Sequence, residues 1–195
     1  MHSADRGLSR THFIAIGAAA AEAAAAAGIA AGPLEGTSAQ TDRDIEALQL
    51  ILLLEYTENA FYAEAIERGG LSGEMKDYAQ AVLAQEREHL AFLKQALGAR
   101  AEDRPSFEFG SATRDPSEFA ATAAELEDLA VGAYNGQATN VSKATLEAAA
   151  TVVSVEARHA AWIRSIVGEP PAPDATDKPL SAAEVREGLE RIGMR

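Results

Sequence analysis

A chain of 195 residues is long enough for one domain with a proper core plus appendages. Its formal net charge of −13 argues against nucleic acid and anionic membrane surfaces as partners. The lack of Cys excludes disulfides, thiolate zinc sites, iron–sulfur clusters and nucleophilic Cys, so any metal must be held by oxygen and imidazole. Apolar residues, many of them Ala, make up 47% against 6% aromatic, a composition that favours closely packed helices.

Residues 1–35 read as an export signal. Arg6 and Arg10 give a positive start, Phe13 to Ala31 is a long Ala/Gly-rich apolar run, and Ala30, Ala31 and Gly32 suit cleavage. The stretch Ser9-Arg10-Thr11-His12-Phe13-Ile14 resembles a twin-arginine signal, with Thr11 where the second Arg would stand. Glu22 inside the apolar run argues against a stable membrane anchor, since a charge at a helix centre costs about 3 kcal/mol on insertion scales. The mature chain is therefore expected outside the cytoplasm, in the periplasm, the cell wall or the medium.

Residues 36 to 41 read as a Gly/Ser/Thr linker. An amphipathic helix is predicted from Asp42 to Arg68, with Leu48, Leu52, Tyr62 and Ile66 along one stripe and Gly69-Gly70 as its stop. A second follows from about Ser72 to Leu97, turning Val82, Leu83, Leu90, Leu93 and Leu97 inward, and ends at Gly98. The short loop between them makes an antiparallel hairpin. Residues 99 to 115 are charged and Pro-containing, with Phe107 and Phe109 as the large apolar anchors. A third helix is predicted from Asp115-Pro116 to about Thr139 and a fourth from about Ser142 to Val167.

Two hairpins joined by a long connector define the topology. At about 3.3 Å per residue the connector reaches roughly 55 Å, more than the ~36 Å length of a 24-residue helix. It can therefore run the full length of the bundle and start the third helix at the far end. The expected fold is all-α, a four-helix bundle over 42–168 built from two antiparallel hairpins and one long crossover. Residues 169–195 read as a Pro/Asp-rich strap and a short helix opened by a capping box at Ser181-Ala182-Ala183-Glu184, packing on the bundle without chemistry of their own.

The chemistry sits in two stretches of one spacing, Glu86-Arg87-Glu88-His89 and Glu156-Ala157-Arg158-His159. A Glu three residues before a His puts both side chains on one helix face, where they can grip one metal ion. Val82, Glu86, His89 and Leu93 share the inward stripe of the second helix, as do Val152, Glu156, His159 and Ile163 on the fourth. The first and third helices each carry Glu and Tyr seven apart, Glu55 with Tyr62 and Glu127 with Tyr134. The hairpins are thus an internal repeat of one half-site.

Four carboxylates from Glu55, Glu86, Glu127 and Glu156 match the charge of two divalent cations, with His89 and His159 as neutral ligands. Carboxylate with imidazole suits iron or manganese and also accepts zinc. In the expected arrangement Glu86 and His89 hold one ion and Glu156 and His159 the other. Glu55 and Glu127 are terminal or bridging, and Tyr62 and Tyr134 stand behind the ligands and orient one across the bundle. Glu125 and Asp128 are alternative carboxylates beside Glu127. Glu58 reads as an exposed residue that offers an extra ligand at most, Glu88 as surface, and Trp162 as packing rather than an electron relay.

At these residues the chain resembles the ferritin-like superfamily, namely rubrerythrin, bacterioferritin and exported ferritin-like domain proteins of bacteria. The resemblance covers 42 to 168, and the ending Asp177-Lys178-Pro179-Leu180-Ser181 also looks like the exported group. It implies a di-iron or di-manganese centre, iron first, that reacts with oxygen or peroxide as an oxidoreductase or ferroxidase. The Cys-rich electron-transfer domain of rubrerythrin has no counterpart here. A homo-oligomer is compatible with the family. The competing expectation is an exported metal-sequestering or stress- and desiccation-protective binding protein without turnover.

Overall fold

The computed structural model describes residues 40–195, so the export signal read over 1–35 lies outside the described residues. Five α-helices form the described region: α1 Asp42–Arg68, α2 Gly73–Leu97, α3 Pro116–Gln137, α4 Lys143–Val167 and α5 Ala182–Ile192. A single 3-10 turn, Gly98–Arg100, follows α2. The described region is all-helical, as expected, and none of its helices is long and apolar enough to cross a membrane.

The helix starts follow local chemistry. Thr41 and Asp44 form a reciprocal capping box at α1, Asp115 accepts from the Ser117 and Glu118 amides with Pro116 next in line, and Ser181 with Glu184 boxes α5. Glycines in the left-handed region end α1 at Gly69 (φ 71°) and α4 at Gly168 (φ 80°), where a side chain would be strained. Asp44 also ties two elements together: its other oxygen accepts from the Ser142 amide at 2.7 Å, at the start of α4. Burial pushes this carboxyl up, but the Ser142 and Thr41 amides outweigh it and hold it well below the usual carboxylate range.

The crossover can be followed along α1. Gln40 donates to Ala96 O and Gln49 to Arg100 O near the end of α2; Tyr56 then donates to Glu102 O at 3.2 Å, and Thr113 to Glu64 at 2.7 Å. The connector thus travels from the N-terminal to the C-terminal end of α1, and α3 begins there. Phe109 is buried, stacks on Phe107 and meets Phe61 edge-on, and Phe61 in turn stacks on Phe119 of α3. The C-terminus pins the connector: Glu108 donates to Gly193 O and Arg195 to Ser106 O.

The strap crosses α3 at two glycines. The Leu180 amide donates to Gly132 O at 2.9 Å, and a Cβ on Gly136 would lie 1.8 Å from Leu180 O. Spaced four apart, the two glycines open a groove on one helix face into which the strap sinks. Gly136→Ala is expected to lift the strap and destabilise the fold by about 1–3 kcal/mol, despite the better helix propensity of Ala. Thermal melting against wild type checks this, and an unchanged or raised midpoint would show that the groove is dispensable.

Candidate metal centre

Four helices each send a carboxylate inward at the same level. Glu55, Glu86, Glu127 and Glu156 have no exposed surface, and His89 and His159 are 4% and 3% exposed. Two groups of potential ligand atoms result, each lying within 4.8 Å of one another: Glu55, Glu86, His89 and Glu156, and Glu86, Glu127, Glu156 and His159. Ligands on opposite sides of one ion with bonds of about 2.1 Å stand roughly 4.2 Å apart, so each group can close on a single cation.

The sharing is informative. Glu86 and Glu156 belong to both groups, whereas Glu55 accompanies only His89 and Glu127 only His159. Of the two arrangements left open by the spacing, the geometry supports Glu55 and Glu127 as terminal carboxylates. Glu86 and Glu156 are the carboxylates placed to bridge, rather than each serving only its own helix's His. The hairpins cross to build each group, since Glu156 of α4 joins the first and Glu86 of α2 the second.

The contacts look like converging ligands rather than a closed hydrogen-bond network. His89 Nδ1 lies 3.0 Å from Glu86 Oε2 and 2.9 Å from Glu156 Oε1, and His159 Nδ1 lies 3.0, 3.4 and 3.3 Å from Glu86, Glu127 and Glu156 oxygens. Yet His159 Nδ1, both Glu156 oxygens, Glu55 Oε2 and Glu127 Oε2 meet no partner in hydrogen-bonding alignment. Buried polar atoms left this way are rare in native proteins, and one cation in each group would satisfy them. The donor set fits a pair of divalent ions.

Without an ion, protons carry the compensating charge. Burial works against the His89 imidazolium, but the Glu156 and Glu86 carboxylates outweigh it and raise its pKa to about 11. His159 rises well above the ordinary range for the same reason, with Glu127, Glu156 and Glu86 around it. Burial raises Glu86 too, yet the two imidazoles win and bring it down to about 2. Burial pushes Glu127 up to about 7 and, with the field of Glu86, lifts Glu55 well above its usual value.

Behind the ligands the tyrosines act across the bundle. Tyr134 of α3 donates to Glu55 Oε1 at 2.9 Å, and Tyr62 of α1 donates to Glu127 Oε1. Burial, then the adjacent carboxylates, keeps both phenols protonated far into alkali. Each tyrosine therefore fixes a buried carboxylate of the opposite hairpin, Tyr134 that of Glu55 and Tyr62 that of Glu127. Asn59 donates to both Glu55 O and Glu86 O, locking the register of α1 against α2. The alternative carboxylates are taken elsewhere: Glu125 is exposed and bound by Arg191, and Asp128 by Arg164. Glu88 is exposed, and Trp162 packs edge-on against Tyr78 with its indole N–H on Glu74.

Two residues of the site, Gln85 and Tyr78, escape sequence reasoning, and the exposure of a third, Glu58, is misjudged by it. Gln85 accepts from His159 Nε2 at 2.8 Å, which leaves Nδ1 facing the carboxylates. Tyr78 lies 3.0 Å from the Tyr62 hydroxyl and donates to Glu127 at 3.4 Å. Glu58, read from the sequence as exposed, is fully buried instead. The reason is that Glu58 stands three residues after Glu55 on the same inward face of α1, among the carboxylates of the neighbouring helices. Only the tertiary packing reveals Gln85 and Tyr78, whereas the spacing of three from Glu55 already marks Glu58 as a possible ligand.

A search of curated proteins finds no match to this chain. A family model described as a ferritin-like domain matches residues 43–169, from the second residue of α1 to just past the end of α4, and includes every candidate ligand. The chain belongs to the ferritin-like domain family.

Proposed function

We propose that the protein holds two divalent ions, iron first and manganese second, and uses them as an oxidoreductase of the ferroxidase kind acting on dioxygen or a peroxide. The observation that carries this reading is the pair of overlapping four-residue groups sharing Glu86 and Glu156, which suits two ions held side by side. When bound, such ions supply one electron each, matching the two-electron reduction of dioxygen to hydrogen peroxide or of hydrogen peroxide to two waters. The chain's own residues do the rest. His89 and His159 present neutral Nδ1 atoms after losing their protons to solvent as the ions bind, and the two protons that such a reduction consumes come from solvent. Tyr62 and Tyr134 hold the terminal carboxylates in place. Leu54, Phe61, Val82, Leu126 and Ile163 are all buried in the surrounding core, which keeps bulk water from the site.

A second reading, sequestration without turnover, draws support from the enclosure of the site, since no candidate ligand is more than 4% exposed. One experiment separates the two. Anaerobic loading with ferrous iron to two per chain, followed by oxygen, is expected to raise a near-ultraviolet ferric absorption band within seconds to minutes. Two bound ions and no band would favour sequestration; iron content far below two per chain would overturn both. Export of the mature chain, read from residues 1–35, belongs to the same proposal and provides the setting in which scavenged metal or peroxide would be met.

A further inference from the structure

The two half-sites are not exact copies. Glu55 and Tyr62 of α1 match Glu127 and Tyr134 of α3, but three residues after the first Glu, α1 has Glu58 where α3 has Ala130. Both positions are fully buried. Glu58 is thus a fifth carboxylate within the four-helix core, with no counterpart in the other half.

Its surroundings do not account for it. Neither Glu58 oxygen meets a hydrogen-bond partner, and among the described residues no Lys, Arg or His forms an ion pair with it. The groups that act on it most strongly after burial itself are the carboxylates of Glu86, Glu156, Glu55 and Glu127, all of its own sign. A buried carboxylate among carboxylates is tolerated only with a proton or a cation as partner. Its place on the helix favours the cation: one turn from Glu55 and on the same face, it has the spacing by which Glu86 and His89 serve one ion.

We propose that Glu58 is a seventh protein ligand of the centre, closing on one of the two ions and making the ion sites unequal. The proposal rests on the dinuclear reading above. Glu58 belongs to neither four-residue group as the side chains stand, so ligation requires its side chain to swing toward an ion. Gln85 beside His159 and Tyr78 beside Glu127 distinguish the halves in the same way, because Val155 and Ala148 occupy the equivalent positions.

Cobalt(II) reads this directly, since its visible bands strengthen as coordination number falls. Wild type and Glu58→Gln, which keeps volume and removes charge, are titrated with cobalt(II) by calorimetry and visible absorption. The expected result is two bound ions in both proteins, with one site about tenfold weaker or more in Glu58→Gln and its band intensified, the other unchanged. Equal affinities and spectra for both ions would overturn the role of Glu58 while leaving the dinuclear centre standing. Failure of wild type to bind cobalt(II) would overturn both. Should Glu58→Gln not fold, Glu58→Asp retains the charge but shortens the reach, and a spectrum identical to wild type would be equally decisive against the proposal.

Discussion

Glu86→Ala and Glu156→Ala are each expected to abolish both metal sites together, whereas Glu55→Ala and Glu127→Ala weaken one site and spare the other. The difference follows from membership: Glu86 and Glu156 lie in both four-residue groups, Glu55 and Glu127 in one each. Loss of a shared carboxylate removes a ligand and a negative charge from two ions at once, which exceeds the roughly 10–100-fold loss typical of residues that merely support a ligand. Metal content after loading with manganese(II) and desalting is the measurement, with circular dichroism to confirm that the bundle still forms. A Glu86→Ala protein that keeps one ion per chain would refute the bridging assignment.

Metal affinity is expected to climb steeply with pH, and binding to release protons. Without an ion His89, with a pKa of about 11, carries a proton at pH 8, so occupancy must displace at least that one, and the carboxylates around His159 shift it in the same direction. Each displaced proton makes the binding constant rise about tenfold per pH unit, so metal affinity should gain at least about tenfold from pH 7 to 8. Calorimetry in buffers of different ionisation enthalpy counts the protons directly; fewer than one per chain would contradict the arrangement.

The stability of the protein without metal runs the opposite way. His89 has a folded pKa above its unfolded 6.5, so its contribution is complete below 6.5 and is lost as pH rises toward 11. Glu127, raised from 4.5 to about 7, loses its contribution across that interval. Glu86, lowered to about 2, contributes above 4.5 and fails only as pH falls toward 2. Melting temperature should therefore fall from neutral to alkaline pH without metal, while the increment gained by adding manganese(II) grows.

Much of this molecule can be read from its residues because local rules agree with the global fold. Capping residues, terminal glycines and the connector length place the helices and order the hairpins, and the two Glu-x-x-His pairs with their Glu-x6-Tyr partners name eight buried residues of the site. Periodicity fails where a helix is covered on several sides. On α1, Leu50, Ile51, Leu52, Leu54 and Glu55 are all buried, so no exposed stripe remains against which Glu58 could be judged. Gln85 and Tyr78 gain their roles from what the neighbouring helices bring beside them. Which carboxylates are shared between the two groups depends on side-chain directions across the bundle, which spacing along one helix cannot encode.

The crossing of the hairpins has a consequence for how such a site can vary. Each candidate ligand group draws residues from both hairpins, and Glu55 and Glu127 are each held by a tyrosine from the other hairpin. A hairpin alone is therefore not half of a working centre. It would need a second copy about a twofold axis, at a concentration high enough to keep the pair together. The crossover replaces that encounter with a tether, so assembly no longer depends on concentration. It also frees the two copies from identity: in a symmetric pair Glu58 would come twice or not at all, whereas in one chain the equivalent position can be Ala130.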